Sequence, residues 1–144
     1  MRIIVIHGPN LNLLGERQPE VYGTQPLAKI DAALVSAGKE LGVEVFAVQL
    51  SSEGAIIDQL HAARNEYDAV VINPGAYAHY SYAIADAISS IRIPVIEVHI
   101  TNVAGREPHR RVSVTAAACV GTVSGFGARS YVLALRAARD ILGK

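Results

Sequence analysis

Arg2–His7 reads RIIVIH, an apolar run closed by a polar residue, and it leads directly into GPNLNLLGERQPEVYG over residues 8–23. Strands covered on both faces read as near-continuous Val and Ile rather than as an alternation, so this run predicts a strand of a buried parallel sheet. Four more runs of the same kind stand at residues 43–49, 69–72, 94–100 and 119–123. All five are expected to be buried on both faces. Between them lie segments of helical period: Ile30, Leu34, Ala37 and Leu41 share one face, as do Ile56, Leu60, Ala63 and Tyr67, and Tyr131, Leu135, Ala138 and Leu142. Residues 82–90 complete the set of helices. Strands alternating with helices, joined by right-handed crossovers, predict an α/β, flavodoxin-like, doubly wound five-stranded parallel sheet of order 2-1-3-4-5.

The 144 residues suit one domain spanning 1–144. With 51% hydrophobic and 18% charged residues in so small a chain, part of the apolar surface is expected to meet other subunits. Thirteen basic and thirteen acidic side chains cancel, which argues against nucleic acid and anionic membrane as partners. MRIIVIHGPN has too short an apolar run for a secretory leader, and no uncharged segment is apolar enough to span a bilayer. A lone Cys119 excludes an intrachain disulfide and points to a reducing, cytoplasmic compartment, with the thiol packed rather than nucleophilic.

In a sheet of this order ligands bind beyond the carboxyl ends of the strands, at the switch point between the first and third. The polar residues gather there: Asn10 and Asn12 after strand one, Asn73 after strand three, and Glu97, His99, Thr101 and Asn102 at the end of strand four. Residues 8–23 form a long structureless loop in this reading, and Gly15 and Gly23 flank a piece near 15–24 able to close as a lid. A loop Tyr usually only packs, so Tyr22 requires independent support as a base. An Arg is that support. A Tyr acts as a base near neutral pH only when its ordinary pKa of about 10 falls by several units. One guanidinium about 4 Å away supplies roughly 4 kcal/mol at an effective dielectric near 20, about what three units require. Arg17 is the nearest candidate in sequence and Arg106 the second.

Glu97 and His99, two apart in PVIEVHITN, project to one side of their strand, where the carboxylate orients the imidazole and favours its protonated form. An acid dyad and a structural pair are equally open readings. Asn73 opens the turn NPGAYAHYS, as an oxyanion contact or as a residue preceding Pro74. His79 is either a packing residue or a hydroxyl contact. The five His lack the ligand spacings of a zinc site, so no metal is expected. The chain also lacks the Lys and Ser/Thr of a phosphate loop, which counts against a nucleotide- or flavin-binding module, and it lacks the G-x-S-x-G of an α/β hydrolase. A regulatory module whose polar residues only cap strands would show no turnover.

HGPNLNLLGERQPEVYG, Gln49 with Glu53-Gly54, NPGAYAH, PVIEVHITN, REPHR and SGFGARSY, taken in order, resemble the type II 3-dehydroquinate dehydratases. The resemblance covers nearly the whole chain. It implies a lyase of the shikimate pathway, serving aromatic amino acid biosynthesis or quinate breakdown, which uses no cofactor and assembles as a dodecamer of four trimers. By motif, Tyr22 is implied to take the proton next to the ring ketone, with Arg17 lowering its pKa. Enolate stabilisation around Asn73 and protonation of the departing hydroxyl by His99 are implied likewise. The backbone of Ile100 and Thr101, with the Thr101 hydroxyl, is implied to hold the substrate carboxylate. His79 and Arg110 are implied to bind ring hydroxyls, and Asp86 to reach in from the adjacent subunit; Asn10 and Arg106 complete the expected contacts. Ser51, Ala78, Tyr80, Thr101 and His109 depart from the family's usual residues.

Overall fold

The computed structural model describes residues 1–143. Five parallel strands, β1 (Arg2–His7), β2 (Glu44–Gln49), β3 (Ala69–Asn73), β4 (Val95–His99) and β5 (Gly121–Ser124), form one sheet of order β2-β1-β3-β4-β5, as expected. The helices are α1 (Pro19–Tyr22), α2 (Leu27–Leu41), α3 (Glu53–Glu66), α4 (Tyr82–Ser90) and α5 (Arg129–Leu142). Successive strand residues point to opposite faces. Ile3 and Val5 of β1, with Val71, Ile96 and Val98, therefore pack under α2 and α5, against Leu34, Tyr131 and Leu135. Ile4, Ile6, Val70, Ile72 and Val95 pack under α3 and α4, against Ile56, Leu60 and Ile84. The three helical stripes face the core as predicted, although Leu41, Tyr67 and Leu142 are only partly buried and Tyr67 caps α3 rather than continuing it.

Two expectations need correction. β1, β3 and β4 are buried throughout or nearly so, but β2 and β5 are partly exposed, because as edge strands they have a neighbour on one side only. Residues 8–23 are not structureless. A 3₁₀ turn, Leu11–Leu13, follows Asn10, and Leu11 and Leu14 enter the core; Pro19 then starts α1, where a missing N–H costs nothing. Strand ends also shift. β5 begins at Gly121 rather than residue 119 because Cys119 closes a 3₁₀ turn, Ala116–Ala118, with its N–H on the Ala116 carbonyl.

The switch point is tightly built. Gly8 N–H donates to the Asn73 carbonyl at 2.7 Å, and a Cβ at Gly8 would lie 2.6 Å from the Pro74 carbonyl carbon, so only glycine allows the loops after β1 and β3 to touch. Gln49 at the end of β2 adds its side-chain N–H to the Gly8 carbonyl at 3.1 Å.

Candidate active site

Above that junction opens a cleft at the carboxyl ends of the strands. Ten of the sequence-predicted residues line it: Asn10, Arg17, Tyr22, Asn73, His79, His99, Ile100, Thr101, Arg106 and Arg110. Glu97 lies behind His99. Asp86 does not reach this cleft; it is exposed on α4, where its carbonyl accepts from the Ser90 hydroxyl. Asn12 and Asn102 are outside it too.

Tyr22 ends α1 and is carried over the cleft, half-buried against the core. Two guanidiniums meet it. Arg106 donates to the phenol oxygen at 2.9 Å and approaches the Thr101 hydroxyl at 3.5 Å, while Arg17 sits 4.8 Å from the ring centroid. The contact to the phenol oxygen thus comes from Arg106, distant in sequence, and Arg17 covers the ring. Glu107 steadies this side, since its carboxylate accepts from Arg110 at 2.6 Å and lies 3.8 Å from Arg106. The hydrogen bond from Arg110 comes first among the causes that hold the Glu107 carboxyl below its ordinary value, and nearby Arg charge adds to it. Glu107 was missed in the sequence, although REPHR places it between the two arginines.

The opposite wall is β4. His99 Nε2 meets the Glu97 carboxylate at 2.9 Å, which leaves Nδ1 as the ring nitrogen available to the cleft. Glu97 is only 1% exposed, and its oxygens also accept from the Ser113 hydroxyl at 2.7 Å and from the Thr115 hydroxyl. Burial pushes this carboxyl up, but the hydrogen bonds from His99, Thr115 and Ser113 and the imidazole's charge outweigh it, so its pKa lies below the ordinary value. Glu97 is therefore an anion that holds His99 in one orientation. Neither Ser113 nor Thr115 stood out in the sequence, because nothing local to them signals a partner in β4.

Asn73 forms the floor. Its amide oxygen accepts from Gly75 N–H at 3.1 Å and its amide nitrogen donates to the Tyr131 hydroxyl at 3.0 Å. On the rim, His79 Nδ1 contacts the Val112 carbonyl at 2.8 Å, which makes Nδ1 the donor and leaves Nε2 outside this bond. The exposed His109 ring lies 6.3 Å from that of His79. Among the described residues no three His, Cys, Asp or Glu side chains cluster as metal ligands, and no helix is long and apolar enough to cross a membrane.

A doubly wound α/β sheet with acid–base side chains gathered at its switch point defines an enzyme class that works by positioned proton transfer. Comparison with known proteins narrows this. Residues 1–139 match the family described as dehydroquinase class II. A 3-dehydroquinate dehydratase of Pelotomaculum thermopropionicum is 52% identical over 143 residues, covering 99% of each chain, and one of Clostridium acetobutylicum is 49% identical over the whole of both. The crystal structure of a type II dehydroquinase from Butyrivibrio crossotus superposes with a TM-score of 0.93 at 44% identity, over 100% of this chain and 98% of that one. The chain belongs to the type II dehydroquinase family.

Proposed function

We propose that this chain is a hydro-lyase of the shikimate pathway that reversibly converts 3-dehydroquinate to 3-dehydroshikimate and water by anti elimination through an enolate. One observation carries the reading. A phenol oxygen gripped by one guanidinium and an imidazole anchored on a buried carboxylate line the same cleft. The phenolate of Tyr22, faced by the Arg106 guanidinium, takes a proton from the carbon next to the ring ketone. The C–H electron pair moves into the ring and charge collects on the ketone oxygen, near Asn73. The imidazolium of His99 then gives its proton to the departing hydroxyl as the C–O bond breaks. Water leaves, the abstracted proton passes from Tyr22 to solvent, and His99 takes a proton back from solvent. Backbone N–H groups of Ile100 and Thr101 with the Thr101 hydroxyl take the substrate carboxylate, and Asn10, His79, Arg106 and Arg110 contact the rest of the ring.

In this reading residues 1–144, of which Lys144 lies outside the described residues, form a single cytoplasmic catalytic domain with a lid near 15–24, working without cofactor. The assembly is a dodecamer of four trimers, in which Asp86 of one subunit completes the cleft of the next; its position outside its own cleft supports this. The test is direct. Purified protein is mixed with 3-dehydroquinate in EDTA, and the ultraviolet absorbance of the conjugated enone is followed. A rise is expected; a flat trace refutes the assignment.

A further inference from the structure

Behind the floor of the cleft runs a file of buried polar side chains that the dehydration steps leave unused. His7 ends β1 and faces the α2–α5 side with no exposure. Its Nε2 meets the Asp31 carboxylate of α2 at 2.8 Å, and its Nδ1 meets the Tyr131 hydroxyl of α5 at 3.2 Å. That hydroxyl accepts from the Asn73 amide at 3.0 Å. We propose that Asp31, His7 and Tyr131 are positioning residues that lock the side-chain amide of Asn73 in the orientation used at the enolate. The inference rests on the role given to Asn73 above.

The direction of every proton in the file is determined. Gly75 N–H donates to the Asn73 oxygen, which assigns the amide and turns its nitrogen to Tyr131. An amide nitrogen only donates, so the phenol accepts there and spends its own proton on the partner that remains, His7 Nδ1. Burial pushes the Tyr131 hydroxyl well above the ordinary tyrosine value, so it keeps that proton. His7 is then protonated at Nε2, where Asp31 accepts. Each member has one possible arrangement, and the amide can rotate only if the file breaks.

His7 and Asn73 are register partners on β1 and β3, so the file anchors the strand pair at which the sheet reverses. None of Asp31, His7 or Tyr131 lines the cleft. Their effect on turnover therefore passes through Asn73. The outer end is accessible, because the Asp31 side chain is 35% exposed. A substitution there perturbs the file without opening the core.

The experiment measures steady-state kinetics of the assembled enzyme with 3-dehydroquinate, together with histidine ¹⁵N spectra. Tyr131→Phe, which keeps the ring, is expected to lower kcat about tenfold, less than outright loss of an oxyanion donor, with KM unchanged within about twofold. Asp31→Ala should lower kcat about threefold, and Asp31→Asn, whose oxygen still accepts from Nε2–H, should restore it. The double variant Asp31→Ala/Tyr131→Phe should match Tyr131→Phe alone, as members of one file do not add. Wild-type kcat in Tyr131→Phe, losses that multiply, or losses confined to KM overturn the proposal. The spectra decide independently of turnover: a proton on His7 Nε2 with a bare Nδ1 supports the file, and the other tautomer refutes it even if the chain does not act on 3-dehydroquinate.

Discussion

Tyr22 and His99 line the same cleft, yet Tyr22 hangs on a single helical turn with no buried residue while His99 ends a strand buried at every position. The tyrosine's segment is bounded by Gly15 and Gly23, both at positive φ, and Gln18 between them also takes a left-handed conformation. Such a piece, whose helix buries no residue, has the backbone freedom that the proposed lid requires. The histidine's segment is fixed by a carboxylate that accepts from three side chains on two stretches of chain. The proposed base thus stands on the segment proposed as a lid, and the proposed acid on a buried strand. If that segment opens, substrate enters by displacing only one partner.

If this contrast is right, substitutions on the two sides separate activity from stability. The largest effect on rate belongs to Tyr22→Phe, which should lose about 10²–10⁴-fold in kcat by enone absorbance while the urea midpoint stays within the error of wild type. A matching fall in stability would erase the contrast. Glu97→Ala is the reverse case on the rigid side. It leaves His99, Ser113 and Thr115 without their common acceptor, and about 3 kcal/mol of stability should vanish in urea unfolding, together with turnover.

Within the lid side, Arg106→Lys should cost more than Arg17→Lys, since Arg106 holds the phenol oxygen and Arg17 only its ring. A charged hydrogen bond sets the first loss at about tenfold or more in kcat, the second below it; the opposite ranking would return the leading role to Arg17. The smallest effect is acid sensitivity. The Glu97 carboxyl lies lower in the folded protein than in the unfolded chain, so its stabilising share is full above the ordinary value of 4.5 and disappears as pH falls through the folded value. Urea midpoints should decline over that window in wild type. In Glu97→Gln the decline should be shallower, and an equal decline would assign the acid sensitivity to other carboxyls.

The same division governs what was legible in the sequence. The strands β1, β3 and β4 were readable because burial on both faces writes itself as a run of Val and Ile, and the stripes of α2, α3 and α5 because one helical face is core. β2 and β5 read as equally buried, since sequence periodicity does not reveal which strands fall at the edges. The short helix α1 was read as loop, although Pro19 at its first position marks its start. Most of the site was legible as order and spacing of motifs. What escaped were the supports: Ser113 and Thr115 on Glu97, Glu107 between two arginines, and the His7–Tyr131 contact across 124 positions. A pairing such as His7–Tyr131 exists only once the fold seats α5 against β1.

Cys119 was read as a packed thiol. It is partly buried, its thiol is pushed up to about 12, mainly by burial, and Sγ donates to the Thr115 carbonyl at 3.4 Å. It belongs to the packing beneath Glu97.

The contact of Gly8 with Pro74 carries an evolutionary consequence. Any side chain there would wedge apart the two loops on which the cleft rests, so drift at this position is closed and no sequence of small steps can widen the floor from below. Descendants of this chain that acquire a new ligand must remodel the rim, beside which Tyr80 and His109 stand exposed.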